Sequence, residues 1–368
     1  MDDLHRVDPR KRESDSDADT MTARRERGGP PVSGEERPPP EQTGRRGSAA
    51  PDRPGEGERG RHAERPSEIP ARGWKDILWR VYNGLGDDRI LMNAAGVTFY
   101  ALLALFPAIA ALVSVYGLFS DPGQITDQLD MLYGILPGGG MTVIEEQLTR
   151  LAAQGSGSLT FGLVLGLLVS LWSANGGMKA LFDALNVVYG EKEKRSFVQL
   201  NAVSLAFTLG MLCFAIIALA AIVAVPVILP ALPDFLGTLI NWARWPVMAV
   251  LIAVVLALIY RYGPSRDEPK WRWISWGSVL AAIGWLAFSA AYSFYAANFG
   301  TFNETYGSLG AAIGFMLWIW LSVTVILLGG KLNASIEHQT ARDTTEGEPQ
   351  PLGQRGAYVA DTVGPASD

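Results

Sequence analysis

Six stretches of this chain are long and apolar enough to cross a bilayer, and no other property of the sequence restricts the fold as much. Crossing roughly 30 Å of hydrocarbon takes about 20 residues of helix at 1.5 Å each. The runs start near residues 94, 159, 200, 243, 274 and 308 and predict spans over about 94–119, 159–181, 200–229, 243–262, 274–298 and 308–330. They read AAGVTFYALLALFPAIAALVSVYGLF, LTFGLVLGLLVSLWSANGGMKAL, LNAVSLAFTLGMLCFAIIALAAIVAVPVIL, ARWPVMAVLIAVVLALIYRY, ISWGSVLAAIGWLAFSAAYSFYAAN and SLGAAIGFMLWIWLSVTVILLGG. The second is the weakest by hydropathy. The fold class that follows is an all-α integral membrane protein, a bundle of six transmembrane helices in a lipid bilayer.

The polar remainder is unlike the spans. A chain with 48% hydrophobic and 18% charged residues could be soluble, so the distribution decides, not the average. Residues 1–72 contain no Phe, Trp or Tyr, and among branched aliphatics only Leu4, Val7, Val32 and Ile69. So little apolar surface does not offset the entropy of ordering a backbone, and the segment is expected to be a disordered tail. Residues 338–368 are expected to behave likewise, leaving 73–337 as the membrane domain. Within 74–92, Trp74, Ile77, Leu78, Val81 and Tyr82 recur at helical spacing with Lys75, Asp76 and Arg80 toward another face, which predicts an N-terminal helix lying at the membrane surface. Between the first two spans, two short amphipathic segments broken by Pro137 and Gly138, Gly139 and Gly140 predict a small external helical cap.

Lys and Arg near a span resist translocation, so short loops fix orientation. Arg72, Lys75, Arg80 and Arg89 precede the first span. Lys192, Lys194 and Arg195 follow the second, and Arg261, Arg266, Lys270 and Arg272 lie between the fourth and fifth. The alternate loops hold few cations: Arg150 among Asp121, Asp127, Asp130, Glu145 and Glu146, then Arg244, and in the last loop only Glu304. Both termini are therefore expected in the cytoplasm. The N-terminus has no apolar run of signal-peptide type, which leaves the first span as the targeting element.

Soluble chemistry finds little to work with. The net charge of −6 conceals a first segment with 16 acidic and 15 basic residues, so no basic arm for nucleic acid is present. The single cysteine, Cys213, permits neither an intrachain disulfide nor a cysteine metal site. His5, His62 and His338 lie outside the spans, and no phosphate loop, zinc spacing or nucleophile elbow appears. The expectation is no catalytic residue, no metal, no cofactor and no enzyme.

Three blocks resemble one family over roughly residues 75–337, the YihY/virulence factor BrkB family. AAGVTFYALLALFP carries the aromatic pair Phe99 and Tyr100 with Phe106 and Pro107. LWSANGGMKALFDALNVVY ends at Tyr189. YGSLGAAIGFMLWIWLSVTVILLGGKLNA carries the block from Tyr306 to Gly310 and the pair Leu317 and Trp318. The resemblance implies a six-helix bacterial inner-membrane protein, a family labelled both transporter and, historically, ribonuclease BN. Three positions depart from its pattern: Gly330 and Lys331 stand where Ala and Glu are usual, and Ala104 where Ser is common.

Polar side chains inside a membrane are costly, and they are the best pointers to function that this sequence offers. Asn175, Lys179, Asp183 and Asn186 follow at steps of four, four and three, which stacks them on one helical face and lets Lys179 and Asp183 pair. The alternative puts Lys179 about 30 Å along the span at the inner interface, leaving only Asn175 deep. A second group, Asn298, Glu304 and Tyr306 with Tyr292, Tyr295 and Asn303, marks the turn between the fifth and sixth spans. Tyrosine there also serves as an interfacial anchor. Gly162 with Gly166 and Gly310 with Gly314 suit close helix packing. The leading expectation is a transport or permeation protein for an unknown small molecule or ion. A scaffold whose tail or cap binds a partner is the alternative, a nuclease the third, and a homo-oligomer is compatible with each.

Overall fold

The computed structural model of the chain describes residues 57–117, 159–228, 233–299 and 310–367, all within the compact unit Asp52–Asp368. The described residues are helical apart from turns and extended links. We number the helices α1 (Ala71–Asp87), α2 (Ile90–Gly117), α3 (Leu159–Tyr189), α4 (Phe197–Ile228), α5 (Asp234–Tyr262), α6 (Trp271–Phe299), α7 (Gly310–Glu337) and the short α8 (Tyr358–Asp361).

Continuous apolar sequence makes the long helices, and particular residues end them. Gly190, at φ 69°, closes α3: its N–H donates to the Val187 carbonyl at 3.0 Å and that of Glu191 to Asn186 at 2.8 Å, a Schellman pair that a Cβ-bearing residue would strain. Between α1 and α2 the chain bends by 60°, and Arg89 occupies the left-handed region at φ 50°. Asn93 Nδ2 holds the bend by donating to the Asp88 carbonyl at 2.8 Å.

Four stretches are long and apolar enough to span: Phe197–Ile217, Gly237–Tyr262, Trp271–Tyr295 and Ala312–Glu337. The bent pair α1–α2 would make a fifth. The remaining expected span lies in α3, whose opening side chains are outside the described set, as is the expected cap at 125–155.

α2 packs chiefly on α3 and α7, α7 on α6, α6 on α5, and α3 on α4, while α1 crosses the end of α7. The buried cluster where these meet includes Ile90, Leu185, Tyr189, Tyr260, Ile274 and Leu327. Trp172, Ile217, Val250 and Ile283 remain outward, as lipid-facing side chains do. The tightest approach joins α6 to α7. A Cβ on Gly277 would stand 2.3 Å from Asn333 Oδ1, and one on Gly329 2.5 Å from Ala281 Cβ and Tyr260 Oη. Close contact there follows the small-residue logic expected of Gly162, Gly166, Gly310 and Gly314, but at different glycines.

Two expectations need correction. Residues 57–72 and 338–367, read as parts of disordered tails, are packed chain. Ala63 and Ile69 join Ile77, Trp273 and Ile336 in a second buried cluster, and Arg61, Gln339, Thr340, Thr344 and Arg355 are buried. Their order comes from hydrogen bonds rather than apolar area, which composition does not register. The face of α1 is also mixed rather than divided into apolar and charged sides: Asp76 and Arg80 are buried beside Ile77, while Leu78, Trp79 and Tyr82 are exposed together with Lys75. An apolar surround rewards the exposure of the three large side chains.

Candidate functional site

The polar face predicted on α3 exists, yet its four residues do four different things. Asn175 sits mid-helix and is fully buried; its Oδ1 accepts the Thr208 hydroxyl of α4 at 3.2 Å, while Nδ2 has no acceptor among the described residues. Gly176 beside it faces open space, and a Cβ on Gly177 would stand 3.4 Å from Ala101 Cα and 3.6 Å from Ala104 Cβ of α2. Ala104, a departure from the family pattern, is thus a contact residue.

Lys179 forms no ion pair with Asp183; its Nζ lies 5.0 Å from the Trp172 ring centroid, and Asp183 is exposed. The helix continues ten residues beyond Lys179 to Tyr189. Asn186 is buried and structural. It accepts the Ser265 N–H at 2.7 Å and donates to Glu193 Oε2 at 3.1 Å, tying the loop after α3 to the loop after α5. Arg195 grips Glu193 in turn and holds its carboxyl well below the usual range, at about 2. The side chain of Asn298, and residues Asn303, Glu304 and Tyr306, lie outside the described set; Tyr292 donates to the Gly314 carbonyl at 2.5 Å, bridging α6 and α7.

What sequence reasoning missed is the charged end of the bundle, where the loops after α3 and α5 meet both described terminal segments. Asp76 is its hub. This buried carboxylate accepts Arg59 Nη1 at 2.8 and 2.9 Å and the N–H and hydroxyl of Ser367 at 2.8 and 2.7 Å, and Gln339 Nε2 approaches at 3.4 Å. Nearby, Arg266 and Glu337 form an ion pair at 2.7 Å with both side chains fully buried, and the guanidinium lies 5.3 Å from the Tyr189 ring centroid. The Tyr189 hydroxyl, buried beside Asn333, meets no partner of hydrogen-bond geometry.

A cavity of about 530 Å³ opens at this end. α1 contributes Trp79, Arg80, Asn83 and Asp87, α7 contributes Lys331 and Ser335, and the tail contributes Tyr358 and Pro365. Lys331 Nζ pairs with Asp88 at 2.5 Å. Gly84 makes room for the lysine stem, since a Cβ there would stand 2.5 Å from Lys331 Cε. His338 contacts Thr362 Oγ1 at 2.8 Å; burial, then Arg80, Lys331 and Arg61, push its imidazole down to about 4. The one sequence signal for this site was Lys331 itself, as a departure from the family.

Comparison with known proteins fits this architecture. A family model, Virulence factor BrkB, matches residues 81–353. The ribonuclease-like protein YfkH of Bacillus subtilis is 31% identical over 248 residues, which are 66% of this chain and 88% of that protein. UPF0761 membrane proteins of Methylibium petroleiphilum and Alkalilimnicola ehrlichii are 25% and 28% identical over 267 and 274 residues. Those alignments cover 71% of this chain but only 62% and 58% of theirs, so the chain spans about three fifths of their length. No solved structure matches it.

Proposed function

The chain belongs to the virulence factor BrkB family, and from that premise we propose that it is a six-span membrane protein that passes a small polar molecule or ion, with α2 and α3 completing the set of spans. The observation that carries this reading is Asn175. A buried amide with an unpaired Nδ2 costs about 1–3 kcal/mol, and polar groups kept at that depth in a membrane protein mark a pathway more often than a packing site. It lies about 20 Å along α3 from Tyr189, so the helix leads from the amide to the cavity at the charged end. In this reading the cation-rich loops place that end, with both termini, in the bacterial cytoplasm.

The test is flux. Purified protein in vesicles loaded in turn with monovalent ions, amino acids and organic acids should release at least one class of solute, and Asn175→Leu should abolish that release without changing the melting temperature. Release unaffected by Asn175→Leu would remove the proposed route. The ribonuclease wording attached to YfkH favours a different activity. Among the described residues no group of His, Cys, Asp and Glu is placed to hold a metal ion.

A further inference from the structure

The cavity at the charged end has its polarity laid out along its length. On α1, Arg80, Asn83 and Asp87 follow at steps of three and four, so they share a face, and Arg80 and Asp87 are about 10 Å apart along the axis. Arg80 marks the end nearest the tail. Its guanidinium donates to the Ser335 and His338 carbonyls at 3.1 and 3.4 Å and to Gln339 Oε1, its Nε has no partner among the described residues, and Asp76, one turn earlier on α1, attracts it without coming within ion-pair distance. The opposite end carries two acids. Asp88 is neutralised by Lys331, whereas Asp87 is exposed and has neither an ion pair nor a side-chain hydrogen bond among the described residues. Trp79 and Tyr358, both partly exposed, add aromatic surface to the lining.

A simple anion would satisfy Arg80 and be repelled by Asp87; a simple cation would meet the reverse. Only a ligand carrying both signs leaves neither charge unmatched, which is how complementary charges select a partner. We propose that this cavity binds a small dipolar molecule with an oxyanion at the Arg80 end and an ammonium at the Asp87 end. Free amino acids with well-separated charges and zwitterionic lipid headgroups share this chemistry.

The site shares the end of α3 with the permeation reading but does not depend on passage, so binding is measured without transport. Isothermal titration of the detergent-solubilised protein with 6-aminohexanoate, whose charges are held apart by five methylenes, is compared with hexanoate and hexylammonium. The dipolar probe should bind about tenfold tighter than either singly charged one, the value of one charge-assisted hydrogen bond. Asp87→Asn should erase the advantage over hexanoate and Arg80→Gln the advantage over hexylammonium. Because Asp87 is exposed and unpaired, its variant keeps the fold even if Arg80→Gln does not. Equal binding of the three probes, or an Asp87→Asn variant that keeps the full advantage, overturns the proposal. Repeating the titration in phosphatidylglycerol nanodiscs with and without phosphatidylethanolamine separates the sources. Competition by the added lipid identifies a headgroup, unchanged affinity a free solute, and both uphold the dipolar chemistry.

Discussion

Replacing Glu337 by Gln should be among the most damaging single changes at the charged end. The carboxylate receives Arg266 through two parallel bonds, at 3.2 Å to Oε1 and 2.7 Å to Oε2, and Oε2 also accepts the Thr344 hydroxyl at 3.0 Å. Neither side chain of the pair is exposed at all. Gln preserves the shape and one acceptor but leaves the guanidinium buried without a counter-charge. Breaking a buried pair in this way costs about 3–5 kcal/mol, whereas replacing both members by apolar residues is often neutral. At roughly 2–4 °C per kcal/mol for chains of moderate size, Glu337→Gln should lower the melting temperature by roughly 10 °C. The combination Arg266→Met with Glu337→Leu should recover most of that loss. Heating the detergent-solubilised protein and following its monodisperse fraction by size exclusion reads both values. A Glu337→Gln protein that melts within about 1 °C of the parent, or a double variant worse than the single one, would refute the argument that an uncompensated buried charge dominates.

Gly277→Ala forces a Cβ to within 2.7 Å of the Gly329 carbonyl as well as onto Asn333, and should cost about 1–3 kcal/mol in the same melting assay. Gly86→Ala, with nothing within 4 Å, should instead be neutral or stabilise by about 0.5–1 kcal/mol. His338 titrates at about 4 when folded against 6.5 when free, so the unfolded chain takes up its proton first as pH falls. Stability from this group is complete above pH 6.5, declines between 6.5 and 4 by up to about 3 kcal/mol, and is level below; His338→Gln should flatten melting temperature against pH across that window. Truncation after Gly353 removes Tyr358 and Pro365 from the cavity, together with the Tyr358 N–H bond to Glu191 at 2.7 Å. Acrylamide quenching of a variant retaining Trp79 as its only tryptophan should then rise, and unchanged quenching would show that the tail does not cover the cavity.

The helices were legible because lipid imposes a length and a composition that few other constraints resemble: the run beginning at Leu159 opens α3, and the amphipathic spacing around Ile77 marks α1. The charged end was not legible, for an equally physical reason. Asp76 meets Gln339 and Ser367 across 263 and 291 residues of sequence, and the segments that bring them carry almost no apolar signal. Hydropathy counts what is expelled from water; it is blind to chain ordered by buried hydrogen bonds. The same blindness affected the polar face of α3, where spacing aligned Asn175 and Asn186 correctly but could not distinguish an amide with an open donor from one whose donors and acceptors are spent on loops.

Lys331 shows how far a departure from pattern can be interpreted. A cation in place of an acid looks like the loss of a functional carboxylate, yet the structure supplies one at this point from another element. Asp88, at the break between α1 and α2, meets the Lys331 ammonium, and Gly84 one turn earlier leaves the volume its stem requires. The three residues form one arrangement: the acid stands just past the end of α1 and the cation on α7, and the space between them depends on a missing side chain. Each position alone would suggest a different story. Together they place a neutralised pair at one end of the cavity and leave Asp87 as the unspent charge there, which is why the ligand argument turns on Asp87 and Arg80 rather than on the residue that first drew attention.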